Sequence, residues 1–310
     1  MKNKLSFLIS QPRSGSSFLQ IQLSYHNLVY SPPESSFLLK YLYRFNNFDR
    51  LSYDTNYAKQ SWGEFLLNDN NSFYKRELRN FILKIYFNHK NTEKKLFLDK
   101  SPRYYHILND LLEIFPDSKF IILLRNPLAV LSSLLNYHYN NSFIKGLSNY
   151  SCHDLFHSLK IFNSLWLDQD KHDNVIFVKY EDIVVNPSKV LNSLFDFLSL
   201  NPCDIDYQID KRFLSSSFVD PNAKKHTKPT SNFLNNWLYQ ISSLQKKNAF
   251  IFYIEFLKNL EIVTNNYDIN YLSNLVINKR VKYTPYLLRT NSFFKNSFQY
   301  FSYIFIILYK

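Results

Sequence analysis

The sequence predicts a three-layer α/β fold with a central, mainly parallel sheet and extra helices towards the C-terminus. Two observations carry the expectation. Apolar stretches of strand length alternate with longer helical patterns over residues 1–200, the arrangement that builds βαβ units. One of those stretches, KFIILL at 119–124, is apolar almost without interruption, as in a strand covered on both faces of a parallel sheet.

The elements follow in order. Residues 5–10 read as a first strand, and 16–25 as a helix with Phe18, Leu19, Ile21, Leu23 and Tyr25 as its apolar positions. A short strand at 28–30 runs into Ser31-Pro32-Pro33, where the prolines end regular structure. Helices at 37–45 and 73–87 flank an Asn- and Tyr-rich stretch. A strand at 95–99 precedes a helix at 104–115, which Pro116 stops. After the 119–124 strand, Asn126 as N-cap and Pro127 at the first helical position start the next helix. Residues 153–168 place Leu155, Phe156, Leu159, Phe162, Leu165 and Trp166 on one helical face, and strand 175–179 and helix 187–198 follow. The expected organisation is one domain over 1–262 and a helical extension packed on it over 263–310.

With 310 residues and 45% hydrophobic content, disordered and collagen-like classes are excluded. Lys and Arg number 37 against 25 Asp and Glu, a formal charge of +12. That excess favours polyanions or an acidic membrane surface, but it is scattered instead of forming long runs, and no nucleic-acid partner is expected. Cys152 and Cys203 are too few for a disulfide framework, and no Cys/His cluster has zinc-ligand spacing, so a reducing, cytoplasmic location and no metal are expected. The first apolar run is too short for a secretory signal. The run FSYIFIILY at 301–309 is well below the ~20 residues that span a bilayer. It reads as packed, with peripheral membrane contact as the alternative.

In doubly wound sheets, ligands bind at the carboxyl ends of the strands, so the residues after Ile9, Leu98, Leu124 and Val178 are where chemistry is sought. The first of these loops is Gln11-Pro12-Arg13-Ser14-Gly15-Ser16-Ser17. A short Ser/Gly loop entering a helix N-terminus gathers free N–H groups for an anion, although a simple serine N-cap has the same look. One of only 3 glycines lies here beside a basic residue, which favours the anion. The loop departs from G-x-x-x-x-G-K-[ST]: Ser10 stands at the first Gly, Ser16 at the Lys, and the positive charge has moved to Arg13. A second cation, Arg125, follows the 119–124 strand with Ser133 eight residues on in the next helix. A guanidinium and a hydroxyl so placed can grip a separate phosphate, whereas alone Arg125 would equally serve an internal salt bridge.

PRSGSSFL, DKSP, FPDSKFIILLRNPLAVLSS and KYEDIVVNPSKVLNSLFDFL, in this order, resemble the sulfotransferases that use 3′-phosphoadenosine 5′-phosphosulfate (PAPS), and the resemblance extends over about residues 1–240. It implies a P-loop NTPase-like fold with PAPS as co-substrate and no metal. It implies that Arg13, Ser14, Gly15, Ser16 and Ser17 form the 5′-phosphosulfate loop and that Arg125 and Ser133 hold the 3′-phosphate. Tyr180 falls in the Tyr-Glu element that borders the nucleotide. Lys228, within Lys224-Lys225-His226-Thr227-Lys228-Pro229 and ahead of Trp237, is similar to the Lys-Pro and Trp version in tyrosylprotein enzymes, although Asn236 stands where a Lys is expected before that Trp. The Gly-rich basic loop of cytosolic members is absent.

Sulfuryl transfer needs positioned reactants and counter-charge on the leaving phosphate. Arg13 cannot be a general base and serves as a clamp. Lys100, matching a Lys-x-Pro of the tyrosylprotein enzymes, is a second clamp or else a surface lysine. Glu34, where some members have a glutamate, is the preferred base, or else it caps the helix beginning near Phe37. His106, His26 and Asp99 are the other candidates. Competing functions are a P-loop kinase-like phosphotransferase and a non-catalytic nucleotide- or polyanion-binding protein. Carbohydrate, lipid-linked sugar, peptide tyrosine and small alcohol all stand as acceptor classes. Aromatics in 36–87 and 137–150 are candidates for the acceptor cleft.

Overall fold

The computed structural model describes residues 4–46, 72–88, 95–139, 153–203, 228, 230–232 and 234–281. The tail at 301–309, residues 224–227 and much of the two aromatic stretches lie outside the described residues. The chain divides into two compact units, residues 1–124 with 170–230 and residues 125–169 with 231–310.

The first unit holds the five-stranded sheet. Its strands are β1 (Lys4–Ser10), β2 (Val29–Tyr30), β3 (Leu96–Lys100), β4 (Lys119–Leu124) and β5 (Val175–Lys179), in the order β2-β3-β1-β4-β5 and all parallel. β1 is central, with Phe7 in register with Asp99 on one side and Phe120 on the other. Residues in register on parallel strands share a face, and successive residues alternate faces. Phe7, Asp99 and Phe120 therefore look one way. There Phe7 packs on Phe120, Phe115 and Tyr104 at 5.1, 5.6 and 6.3 Å between ring centroids. Leu8 and Lys100, also in register, look the other way, towards helix α1 (Ser16–Ser24). α1 is buried over its whole length from Ser16 to Leu23 and packs on β1, β3 and α8 (Pro187–Phe197).

Helices α2 (Phe37–Asn46) and α3 (Ser72–Phe87) follow the expected ranges to within a residue. Other elements differ. β3 runs on to Lys100, one residue past the expected end. The expected helix at 104–115 is a 3₁₀ stretch, Pro102–Ile107, followed by α4 (Leu108–Ile114). The tighter stretch places residues three apart above one another, so Tyr104 and Ile107 both point into the core. A six-residue helix, α7 (Tyr180–Val185), follows β5 directly.

The second unit is helical: α5 (Pro127–Tyr139), α6 (Ser158–Leu167), α9 (Asn236–Tyr239), α10 (Leu244–Leu257), α11 (Glu261–Asn266) and α12 (Ile269–Ile277). The expected cap of α5 is present, with the Leu128 N–H donating to Asn126 Oδ1 at 3.0 Å. A single π-type turn, His153–His157, precedes α6 inside the expected helix. The Tyr253 hydroxyl donates to the Leu155 carbonyl at 3.0 Å, and the Ile262 N–H to Asn163 Oδ1 at 2.8 Å, tying the C-terminal helices to α6 and its preceding turn. α11 runs across residues 262 and 263, and α12 packs on α10.

Candidate active site

The loop between β1 and α1 is built as an anion cradle. Gly15, at the N-cap of α1, has φ 90°, and Arg13 has φ 70°, both in the left-handed region. No side chain caps the helix, and its first turn contains no acidic residue. The first amides of a helix have no intrahelical acceptor, so this end is left for a ligand oxygen. Ser14 is wholly buried, and its Oγ has no hydrogen-bond partner among the described residues. A Cβ at position 15 would lie 2.5 and 2.6 Å from Cδ2 and Cε2 of Tyr180. The Tyr180 ring, set edge-on to Phe18 at 6.0 Å, therefore roofs the glycine. An orphaned buried hydroxyl, an uncapped helix end and a cradle that a side chain would fill together fit a phosphate or sulfonate.

Lys100 lies at the adjacent strand end. Its side chain is fully buried, which excludes the surface-lysine reading. Nζ donates to Glu34 Oε2 at 2.8 Å and to Ser17 Oγ, in the first turn of α1, at 3.4 Å. Glu34 is 22% exposed, so its carboxylate touches the buried lysine and still reaches solvent. It does not cap α2. The amides of Phe37, Ser36 and Leu38 donate instead to Ser35 Oγ, Ser101 Oγ and the Tyr104 hydroxyl. Arg13 is half-buried, and Ser16 and Ser17 are buried in the first turn of α1.

The other base candidates have structural occupations. His26 is 3% exposed, accepts from the Leu28 N–H at Nδ1 and thus presents Nε2–H to the Asn201 carbonyl at 3.0 Å. His106 lies in the 3₁₀ stretch against Tyr105. Asp99, turned to the opposite face from Lys100, is 1% exposed and accepts at Oδ2 from the hydroxyls of Tyr86 and Tyr104, the latter at 2.8 Å. Burial raises the Asp99 pKa above the ordinary carboxylate value of 3.8, with the two tyrosine hydroxyls pulling it back.

A folded pKa above the unfolded one means that the contribution of Asp99 to stability is full below the ordinary value and is lost as pH rises through the raised value. Relative to wild type, Asp99→Asn should thus become more stable across that pH window. Urea unfolding from pH 3 upward checks this, and a stability difference independent of pH would contradict it.

In the second unit, Arg125 and Ser133 are both half-buried, Arg125 directly after β4 and Ser133 within α5. α9, which packs on α5, carries Trp237, 3% exposed and with Nε1 unpartnered among the described residues. Lys228, in the first unit, is exposed. The structure thus brings Gly15, Ser17, Lys100, Glu34 and Tyr180 to the strand ends of one sheet. It also shows supporting contacts of Gln20, Ser31 and Tyr104 that sequence reasoning missed, and it gives Asp99, expected as a possible base, a place among them. The one available signal was a pair of glutamines, Gln20 and Gln22, alternating with the apolar Leu19, Ile21 and Leu23 in a helix that the fold buries.

Such a cradle beside a buried cation, at the carboxyl ends of a parallel sheet, places the chain in the α/β class whose strand-end loops suit a phosphate or sulfonate. The profile of the sulfotransferase family matches residues 6–204, and the chain belongs to that family. Nodulation protein NoeE of Sinorhizobium fredii is 30% identical over 131 residues, 42% of this chain and 30% of that protein. Omega-hydroxy-beta-dihydromenaquinone-9 sulfotransferase Stf3 of Mycobacterium bovis is 28% identical over 134 residues, 41% of this chain and 34% of that protein. The match therefore spans about a third of the length of these relatives. Among solved structures, the sulfotransferase domain from the curacin biosynthetic pathway shares the fold at TM-score 0.52 and 23% identity, covering 76% of this chain and 90% of that one. A mouse sulfotransferase complexed with PAP does so at TM-score 0.52 and 12% identity, covering 88% and 89%.

Proposed function

We propose that this protein transfers the sulfuryl group of PAPS to an acceptor hydroxyl. The observation that carries the reading is the buried Lys100 held between Glu34 and Ser17 beside the uncapped start of α1. PAPS supplies an activated sulfuryl group on a phosphate leaving group. Arg13, the Ser14 hydroxyl and the amides of Gly15, Ser16 and Ser17 hold its 5′-phosphosulfate, with Tyr180 over the loop. Arg125 and Ser133 hold its 3′-phosphate, and Lys228 adds a late contact. Glu34 accepts the proton of the acceptor hydroxyl as the acceptor oxygen bonds to sulfur. The bond from sulfur to the bridging phosphate oxygen breaks, and Lys100 donates to that oxygen as it takes up the electron pair. The mouse relative of the same fold is complexed with PAP, the product this reaction leaves behind. Stf3 is named for a hydroxylated menaquinone acceptor, so a lipid alcohol stands beside carbohydrate in the acceptor class we propose.

The test is transfer from labelled PAPS to a panel of sugar, tyrosyl-peptide and long-chain primary alcohols, with thermal stabilisation by PAP against ADP plus Mg²⁺. Stabilisation by ADP plus Mg²⁺ alone would indicate a phosphotransferase. Turnover is expected to be unchanged in EDTA, because Arg13, Lys100 and the helix end supply the counter-charge. A loss in EDTA that Mg²⁺ reverses would contradict that.

Arg125→Ala should weaken PAP binding roughly tenfold or more and ADP binding far less, since a charge-assisted hydrogen bond contributes about 1.5–3 kcal/mol. Ser133→Ala should act in the same direction with a smaller effect. Equal losses for both nucleotides in calorimetry would remove the 3′-phosphate assignment.

A further inference from the structure

We infer that Gln20 and Tyr104 are positioning residues for transfer: together they tie down both ends of the strap at 31–38 and so hold the Glu34 carboxylate on Lys100. The inference rests on the reading of Glu34 as the base. Gln20 lies in α1 with no exposure, and its Nε2 donates to Ser31 Oγ at 2.7 Å and to the Pro32 carbonyl at 2.5 Å. The Pro32 carbonyl can only accept, so the amide's orientation is set and both of its protons are spent on the strap. Ser31 in turn donates to the Leu98 carbonyl of β3 at 2.7 Å, two residues before Lys100. At the far end the Ser36 N–H donates to Ser101 Oγ at 3.2 Å, and the Leu38 N–H to the Tyr104 hydroxyl at 3.1 Å. That hydroxyl passes its own proton bond to Asp99 Oδ2 at 2.8 Å.

Apart from the two bonds to Gln20 of α1, the ties end on β3 or the residue after it: Leu98 through Ser31, Asp99 through Tyr104, Lys100 through Glu34, and Ser101 directly. The arrangement is not the most favourable one for folding alone. Gln20 Oε1 is buried without a partner among the described residues, as is Asp99 Oδ1, and Ser36 sits at φ 49°. Unpartnered buried oxygens and a left-handed serine each destabilise, and an apolar side chain at position 20 would avoid the first. What the polar choice secures is the placement of residues 31–36 over β3.

The test uses Gln20→Met and Tyr104→Phe, each alone and combined with Glu34→Gln. Transfer rate is read in single turnovers from PAPS, and PAP affinity by calorimetry. Each single variant should slow transfer by roughly 10- to 100-fold, the loss expected when a reacting group is misplaced by about 1 Å. PAP affinity should stay within about twofold, because the cradle at 13–17 is untouched. In the Glu34→Gln background the same substitutions should slow transfer by less than about twofold, since no carboxylate remains to be placed.

A residue needed only for folding would lower the rate equally in both backgrounds, and that result overturns the inference. So does a wild-type rate in both single variants, or a rate loss matched by lost PAP affinity. Should Gln20→Met not fold, Ser31→Ala breaks the same tie from the other side and is read in the same way. A Glu34→Gln variant that transfers at the wild-type rate removes the base assignment and this inference together. A slow Glu34→Gln variant beside silent Gln20 and Tyr104 variants removes this inference alone.

Discussion

Lys100→Met is expected to slow sulfuryl transfer by roughly 10²- to 10³-fold, the loss typical when one donor to a developing oxyanion is removed. Methionine matches the length of the buried stem and supplies no N–H. PAP keeps the oxygen to which Lys100 donates, so its affinity should fall as well, but by less than the rate, because the bond is strongest as charge develops in the transition state. Glu34→Gln should slow transfer by about 10²- to 10⁴-fold for a different reason, the loss of the proton acceptor. The 2.8 Å contact between the two groups adds a finer expectation. In PAPS the bridging oxygen and the sulfonate beside it must compete with the Glu34 carboxylate for Lys100 Nζ. Neutralising Glu34 should therefore tighten PAPS binding relative to PAP, whereas Lys100→Met should abolish that preference. Binding of both nucleotides to both variants decides the matter. A PAPS-to-PAP ratio that neither substitution changes would mean that Lys100 does not meet the sulfonate.

These residues also show where sequence reasoning stops. The parallel sheet was legible because its three inner strands, β1, β3 and β4, are mostly apolar and buried on both faces, so their composition speaks without knowledge of neighbours. The start of α5 was legible because Asn126 and Pro127 act within their own turn. Lys100 was open to a bland reading because a charged pair, Asp99-Lys100, looks like the end of a strand. Charged residues are almost never buried without partners. The partners exist, but they are remote in the chain: Ser17 and Glu34 for Lys100, Tyr86 and Tyr104 for Asp99. With them, β3 continues through both charges, each in register with an apolar residue of β1, Asp99 with Phe7 and Lys100 with Leu8. The ambiguity of Glu34 had the same origin. Its position before α2 suggests a cap, and only the three-dimensional placement of Ser35, Ser101 and Tyr104 shows that the cap is made by others.

Gly15→Ala is expected to weaken PAP binding by roughly 10²-fold or more. Two independent penalties meet at this position. The backbone at φ 90° suits glycine, and an L side chain there is strained by about 1–2 kcal/mol. The new Cβ would also lie 2.5 Å from Tyr180 Cδ2, well inside van der Waals contact, so either the ring or the first turn of α1 must move. Tyr180 opens α7 directly after β5, and its ring rests edge-on against Phe18 of α1. Moving the ring therefore disturbs the same helix whose amides form the cradle. Misplacing two of those amides forfeits charge-assisted bonds of about 1.5–3 kcal/mol each, which gives the expected magnitude. Gly15→Ala with Tyr180→Ala separates the two penalties: the clash is relieved while the backbone strain stays, so affinity should recover only in part. Wild-type PAP affinity in the single variant would show that the loop does not bind the nucleotide. Full recovery in the double variant would show that φ at Gly15 is not part of the requirement.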